Sequence, residues 1–228
     1  MSHYTLTVAL PGDIPAEELR DALNVAMDEF NEQRDVPLHR DLSPYAETFA
    51  DQLAKAKAYG KECEANGKGD HTAGKTDAEI VEDWSGGEGF DNDGWPLTTR
   101  NPDGHWDWWV IGGRWGGAWY LRGEDGPLNT DDHAFGREDR ADEPNRTDNA
   151  RWRDIEPESV TPTYAWLDLN EEWHTKWIGP TREEATGTID YKNTAHWQVP
   201  EDEHVAGFMK FLANLPGDAW LVHIDFHN

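Results

Sequence analysis

The chain has 228 residues, of which 46 are acidic and 20 are basic, so its formal net charge at pH 7 is -26. Such a surface repels nucleic-acid phosphates and anionic membranes, which argues against ordinary DNA or RNA binding and against membrane association. The single cysteine, Cys63, excludes an internal disulfide framework and a cysteine-rich zinc site.

The remaining composition is typical of a soluble protein with an aromatic core. Hydrophobic residues make up only 36% of the chain, but 13 of them are tryptophans, whose large rings bury much surface. No apolar run approaches the roughly 18 residues of a membrane span, and the N-terminus lacks the pattern of a signal peptide. We therefore expect no membrane partner and a cytoplasmic location.

The first elements in chain order are a strand and two helices. Leu6, Val8 and Leu10 alternate with smaller or polar residues, which predicts a half-buried strand. Pro15 suits the first turn of a following helix. The apolar stripe of that helix consists of Leu19, Leu23, Ala26 and Phe30. A second helix is predicted from Pro44 to about Glu64.

Two segments are predicted to be loop-rich insertions. Residues 67–105 are rich in Gly and Asp, with a short helix expected at "DAEIVEDW". They include "GDHTAGKT", which matches the phosphate-loop pattern, but the preceding segment is hydrophilic and lacks the strand that such a loop needs. Residues 123–160 are strongly charged and have little apolar periodicity, which indicates a surface loop or a partly disordered insertion.

The remaining elements complete an α+β fold. "TYAWLDL" and "EWHTKWI" predict a hairpin around Asn170 and Glu171, followed by a helix over residues 201–214 and a C-terminal strand, "AWLVHIDF". The apolar stripe of the helix consists of Val205, Phe208, Met209 and Leu212. We expect a single domain over residues 1–228: a mainly antiparallel sheet with helices packed on one face, specifically a ferredoxin-like core with insertions.

Chemistry-bearing residues alternate along the C-terminal strand. His223, Asp225 and His227 share the face opposite to Val222, Ile224 and Phe226, at roughly 7 Å per step. Imidazole and carboxylate groups together suit a divalent metal, or acid–base work in which Asp orients His. A solvated strand face is the alternative for this row.

The strand "EEWHTKW" places His174 on the face opposite to Trp173. If this strand lies near the C-terminal one, His174 faces His223 or His227. Two histidines from two strands can cleave a phosphodiester, one as base and one as acid, as two-histidine phosphoesterases do. The comparison concerns the chemistry alone.

The stretch "WDWWVIGGRWGG", residues 106–117, combines four tryptophans with four glycines. Gly112 and Gly113 permit a sharp turn and close backbone approach, and Arg114 offers a fork that matches phosphate. An exposed Trp108 would stack on a base, whereas on the alternative interpretation the rings are mainly core and the glycines are a folding device. Trp108 and Trp109 lie on opposite faces of the predicted strand, so which of them stays exposed is open.

Three blocks resemble a family of uncharacterised proteins from phages and actinobacteria. "NPDGHWDWWVIGGRWGG" resembles its N-P-x-x-x-W-D-W-[YW]-x-[IL]-G-G-R-W segment, "TYAWLDLNEEWHTK" its E-W-H block and "LPGDAWLVHIDFHN" its C-terminal D-x-H block. The blocks cover about a fifth of the chain. The sequence departs from the family at Phe226, where a cysteine is usual, and in "NEEWH", where the family has a glycine-containing turn. The resemblance implies a phage-type protein and supports pooling as site residues Trp108, Arg114, His174, Asp225 and His227.

These features favour a phage-type protein that binds a small nucleotide-like ligand, such as an immune signalling nucleotide, in the host cytoplasm. Cleavage by a phosphodiesterase or related hydrolase activity would use His174 and His227 as acid and base. Asp225 would orient a histidine or hold a metal, and Arg114 would bind phosphate. Sequestration of the ligand without cleavage is the other outcome.

Two further functions remain open from the sequence. An acidic inhibitor or nucleic-acid mimic would occupy a basic host protein, as the net charge permits. A structural or virion component would use the tryptophans only as core. The sequence does not identify a cofactor; a divalent metal held by His223, Asp225 and His227 is one option.

Overall fold

The computed structural model describes residues 2–43, 45–85, 88–123, 145–179 and 198–227. The described residues up to Arg34 and from Asp103 onward form one unit, and Asp35–Pro102 form a second. The expected single domain over residues 1–228 stays a prediction. None of the helices in the described ranges is long and apolar enough to cross a membrane.

The described residues form ten strands and four α-helices. The strands are β1 (His3–Leu10), β2 (His39–Arg40), β3 (Leu97–Thr98), β4 (Trp108–Ile111), β5 (Trp119–Tyr120), β6 (Arg146–Thr147), β7 (Asn149–Arg151), β8 (Ala165–Leu167), β9 (Trp173–Thr175) and β10 (Trp220–His227). The helices are α1 (Leu19–Asp28), α2 (Phe49–Ala65), α3 (Asp77–Ser85) and α4 (Glu201–Asn214).

A six-stranded sheet organises the first unit. Its strand order is β4-β10-β1-β8-β9, and β7 also pairs with β10 on the side of β4. β1 runs parallel to β8, and the other pairings of this sheet are antiparallel. The predicted hairpin forms between β8 and β9, with Glu171 at a positive φ of 62° in its turn. The α+β class and the mainly antiparallel sheet are therefore confirmed.

One face of this sheet packs against α1 and forms what we term the first core. The alternation of β1 places Leu6, Val8 and Leu10 here, all nearly inaccessible to solvent. The even-numbered positions Val222 and Ile224 of β10 join them. The residues of α1 that contact this face recur every four positions, as one helix face requires: Leu19, Leu23 and Met27.

The opposite face packs against α4 and forms the second core. His204, Phe208 and Leu212 are the buried stripe of α4, and they lie with Leu221 of β10 and neighbouring residues of β8. Met209, expected in that stripe, is 50% exposed. The placement of the helices thus differs from the sequence-based expectation, because α1 and α4 cover opposite faces, whereas a single covered face was expected.

The first core ends in a cluster of three rings that contact one another: Phe30, His105 and Trp173. The ring of His105 stacks on that of Trp173, with centroids 4.9 Å apart and an interplanar angle of 17°. The Phe30 ring contacts both of these rings, with its centroid 6.1 Å from that of His105 and 5.1 Å from that of Trp173. Burial lowers the pKa of His105 below its usual value, and the charge of Asp103 opposes this only in part.

The second unit consists of α2, α3 and the short antiparallel pair β2–β3. α2 begins at Phe49 rather than near Pro44, because Thr48 and Asp51 form a reciprocal capping box there. The phosphate-loop match at residues 69–76 lies between α2 and α3, so the strand that a nucleotide loop requires does not precede it.

Residues 145–160 are not the exposed loop that their charge predicts. β6 and β7 lie in this segment, and Asp148 and Ile155 are completely buried. The carboxylate of Asp148 accepts hydrogen bonds from the backbone N–H groups of Gly117 and Ala118, at 2.7 and 2.9 Å. Because a buried position occupied by a polar residue does not add to an apolar pattern, the sequence did not indicate that this segment is buried. Residues 124–144 of the predicted insertion lie outside the described residues.

Replacement of Phe208 by Ala tests the packing of α4. Phe208 is completely buried in the second core, so the variant should lose about 3–5 kcal/mol of unfolding free energy. Met209→Ala, one position along the same helix, should change it by less than about 0.5 kcal/mol because Met209 is half-exposed. Urea denaturation followed by circular dichroism measures both, and equal losses would contradict the assigned helix face.

His105 should make the stability depend on pH in a defined direction. Its folded-state pKa is lowered, so between that value and the unfolded value near 6.5 the unfolded chain binds more protons. Stability should therefore fall as pH decreases through this window. In His105→Gln, the difference in unfolding free energy between pH 8 and pH 5 should be smaller than in the wild type. An unchanged difference would contradict the prediction.

Candidate functional site

Three adjacent strands bring polar residues together at one end of the sheet. His227 of β10 lies directly opposite His3 of β1 on one side and Trp108 of β4 on the other. Residues paired across strands share a face, so these three side chains form one row on the second-core face. The next row of the same face contains Thr5, Asp225 and Val110.

Asp225 is a completely buried carboxylate with two hydrogen-bond partners in this cluster. One oxygen pairs with Nδ1 of His3 at 2.9 Å, and the other accepts the backbone N–H of Arg114 at 3.0 Å. A buried carboxylate is costly unless it is paired in this way. Asp225 thereby fixes the position of His3, whose side chain is only 12% exposed.

His227 has a carboxylate partner of its own. Its Nδ1 lies 2.6 Å from Oδ1 of Asp107, the residue that directly precedes β4. Its Nε2 is buried and has no hydrogen-bond partner among the described residues. The rings of His3 and His227 are 5.8 Å apart, edge to face. Two histidines, each bonded to a different carboxylate, are therefore neighbours at this end of the sheet.

Alternation along residues 106–111 correctly places Trp108 and Trp109 on opposite faces, but it also groups Trp106 with Trp108, which is wrong because Trp106 lies before the strand. Trp109 packs against the first core, with the guanidinium of Arg20 over its ring at 5.3 Å. Trp106, just before the strand, also packs there and donates its ring N–H to the carbonyl of Met27. Trp108 is 38% exposed and meets the edge of the His3 ring at 5.8 Å. Trp108 is thus the exposed ring beside the histidines.

The turn after β4 is shaped around Asp225. Gly112 and Gly113 have positive φ values of 75° and 52°. A Cβ atom at Gly113 would lie 2.5 Å from Asp225, a distance that real contacts do not reach. Arg114, which follows, holds Asp225 through its backbone and carries an exposed side chain.

His223 occupies a different position from the one expected for a ligand-binding residue. It is 5% exposed, and its ring meets the edge of Trp119 at 5.7 Å. A metal held by His223, Asp225 and His227 was one option from the sequence, but these three are not a group whose ligand atoms could surround one ion. Among the described residues, one such group is found, consisting of Asp168, Glu172 and His174.

His174 does not meet His227, so the predicted acid–base pair of these two histidines does not form. His174 pairs with Trp166 on β8, and Trp166 pairs with Thr7 on β1. Thr7 in turn pairs with His223 on β10. Three strand spacings separate His174 from β10, roughly 14 Å. Its ring stacks on Trp166, and its Nε2 lies 3.2 Å from Oδ2 of Asp168.

The surroundings of His174 form a separate cavity of about 550 Å³ between the β8–β9 turn and α4. Burial alone would raise the pKa of Asp168 there. Hydrogen bonds from the backbone N–H groups of Asn170 and Glu172, and one with His174, outweigh burial and lower this pKa. The site residues predicted from the sequence therefore lie at two separate places on one face of the sheet, with His174 apart from the others.

Sequence reasoning missed His3 and Asp107. His3 continues the polar face of the predicted first strand together with Thr5 and Thr7, which offered a signal for it. Asp107 stands inside the Trp-Asp-Trp block, where strict alternation places it on the face of Trp109 and away from His227, its actual partner. Their partners lie 222 and 120 positions away in the chain, so no local pattern pairs them.

Comparison with protein-family models, curated proteins and solved structures finds no match to this chain.

Because Gly113 lies so close to Asp225, its replacement by a larger residue should destabilise the fold unusually strongly. Gly113→Ala should lose about 2–5 kcal/mol of unfolding free energy, from left-handed backbone strain and steric conflict with Asp225. Gly179→Ala is the matched control, because its φ is 70° but its nearest neighbour would be 3.6 Å away. It should lose only about 1–2 kcal/mol. Equal losses in chemical denaturation would show that Asp225 imposes no constraint on the turn.

Proposed function

We propose that the protein binds a small nucleotide-like phosphodiester beside His3 and His227 and hydrolyses it. The observation that carries this proposal is the pair of neighbouring imidazoles, 5.8 Å apart, each hydrogen-bonded to a separate carboxylate. His3 takes the catalytic role that the sequence analysis assigns to His174.

The proposed reaction requires two groups because the attacking and leaving oxygens lie on opposite sides of the phosphorus. One imidazole, neutral, removes the proton of the attacking water, and the other, protonated, donates a proton to the leaving oxygen. The P–O bond to the attacking oxygen forms while the bond to the leaving oxygen breaks. Asp225 and Asp107 orient the rings and stabilise the imidazolium form, as carboxylates behind catalytic histidines do.

Recognition of the ligand depends on groups next to this pair. Trp108, opposite His227 and 38% exposed, offers a flat surface on which a base stacks. The exposed guanidinium of Arg114 extends from the turn that holds Asp225 and matches a phosphate. These local groups offset the general repulsion that a net charge of -26 exerts on an anion.

The class of ligand follows from size, charge and resemblance. The negative surface disfavours long nucleic acids, whose many phosphates extend beyond any local cation, more than it disfavours a small nucleotide. The resemblance of three sequence blocks to phage proteins favours a signalling nucleotide of host immunity. In this proposal the protein acts in the host cytoplasm and removes that signal.

Turnover of a nucleotide panel tests the proposal. Purified protein is incubated with cyclic and linear mono-, di- and trinucleotides, and the products are separated by chromatography. His3→Gln and His227→Gln should each reduce the rate by about 10²–10⁴-fold, the usual contribution of an acid–base group. His39→Gln, in the second unit, is the matched control and should leave the rate unchanged.

The His174→Gln variant distinguishes the His3–His227 pair seen in the structure from the His174–His227 pair predicted from the sequence. Turnover that survives this change but not His227→Gln supports the His3–His227 pair. Retention of a nucleotide without cleavage would overturn hydrolysis and leave sequestration. Neither binding nor cleavage of any member of the panel would overturn the proposed function.

A further inference from the structure

A second cavity lies on the first-core face of the sheet, opposite to the histidine pair. Its volume is about 410 Å³, and β1, β9 and β10 all contribute to its walls. Side chains alternate along a strand, so Tyr4 points into it while the adjacent His3 belongs to the other face. The ring-bearing residues that line it are Tyr4, His105, Tyr164, Trp173, Trp177 and Phe226.

The rings of this cavity are set at several different angles. Trp173 stands perpendicular to Phe226, with centroids 5.6 Å apart, and stacks in parallel on His105. Tyr4 and Tyr164 are tilted by 34° at 4.3 Å. A binding site for one planar ring, such as a nucleobase, would need two parallel aromatic walls. This cavity instead surrounds its contents with ring faces and edges from several directions.

The described lining of the cavity carries no charged side chain in the neutral range. Burial lowers the pKa of His105, which favours the uncharged imidazole. Burial, reinforced by Tyr4, raises the pKa of Tyr164 to about 12, so its phenol stays protonated. The electrostatic character of the interior therefore comes from the ring faces, which carry the negative part of the aromatic quadrupole.

Acidic side chains lie immediately beside this aromatic cavity. The His105–Trp173 stack also lines an adjoining cavity. The acidic residues of that adjoining cavity are Glu29, Asp103, Glu171 and Glu172. Together with the net charge of -26, they create a negative potential near the aromatic cavity, and this potential attracts cations.

We propose that this aromatic cavity binds a quaternary ammonium group, of the kind found in choline and in trimethylated lysine. Ring faces attract a cation within about 6 Å, and the attraction is strongest for tryptophan. A primary ammonium or a guanidinium loses strong hydrogen bonds to water on entering an aromatic cavity, whereas a quaternary ammonium has no N–H group and no such bonds to lose. This site is independent of the proposed hydrolysis, since it uses the other face of the sheet.

Titration with choline chloride by isothermal calorimetry is the direct test. The matched control ligand is 3,3-dimethylbutan-1-ol, which has the same shape with a neutral carbon in place of the nitrogen. Choline should bind about tenfold more tightly than this alcohol, as cation–π attraction of 1–2 kcal/mol predicts. Equal affinity for the two ligands, or no binding of choline, would overturn the proposal.

Trp177 provides the matching test on the protein. It is 38% exposed, so its replacement should leave the fold intact, which circular dichroism verifies. Trp177→Ala should weaken choline binding about tenfold and Trp177→Phe by less, because phenylalanine keeps a ring face. Trp84→Ala removes a similarly exposed tryptophan from the second unit and should have no effect. Undiminished binding by Trp177→Ala, or equal loss in Trp84→Ala, would contradict the assigned cavity.

Discussion

Strand β10 is hydrogen-bonded along both edges and covered on both faces, and this double burial constrains the rest of the first unit. β1 pairs with its whole length on one edge, while β4 and β7 share the other edge. Val222, Ile224 and Phe226 enter the first core, as apolar residues should. The alternate positions carry polar groups that have little contact with solvent. Each of those groups therefore requires a partner within the protein.

The burial of Asp225 accounts for several features that otherwise look unrelated. Its carboxylate requires donors, which are supplied by the imidazole of His3 and the backbone N–H of Arg114. That N–H reaches Asp225 only because Gly113 has no Cβ and adopts a positive φ. The glycine pair within the tryptophan-rich stretch is thus first a folding device. The same contact brings an exposed arginine and Trp108 to the histidine end of the sheet, which connects folding with the proposed chemistry.

The strands and helices could be predicted from the sequence more reliably than the burial of their faces and the partners of their side chains. Alternation identified β1 and β10, and the four-residue spacing of Leu19 and Leu23 identified α1. Alternation also sorted β10 into two faces, but a polar face looks the same in sequence whether water or a helix covers it. Only the structure shows that this face is buried, with Leu221 in the second core and the turn after β4 against Asp225. The partners of Asp225 and His227 were equally hidden, because strand order decides which distant residues meet. The same strand order separates His174 from His227, which no local pattern indicates.

Successive side chains of β1 and β10 point to opposite faces of the sheet. The two faces therefore suit ligands of opposite charge. His3 and His227 face one way, and their neighbours Tyr4 and Phe226 face the other. An anion beside the histidines gains only from nearby donors and is opposed by the charge of the whole chain. A cation in the aromatic cavity is attracted by that same charge. Added salt screens long-range charge interactions but has less effect on contacts shielded from water. Screening should therefore favour anion binding at the proposed nucleotide site and disfavour cation binding at the proposed aromatic site. Ionic strength thus distinguishes the two proposed sites, although both lie on β1 and β10.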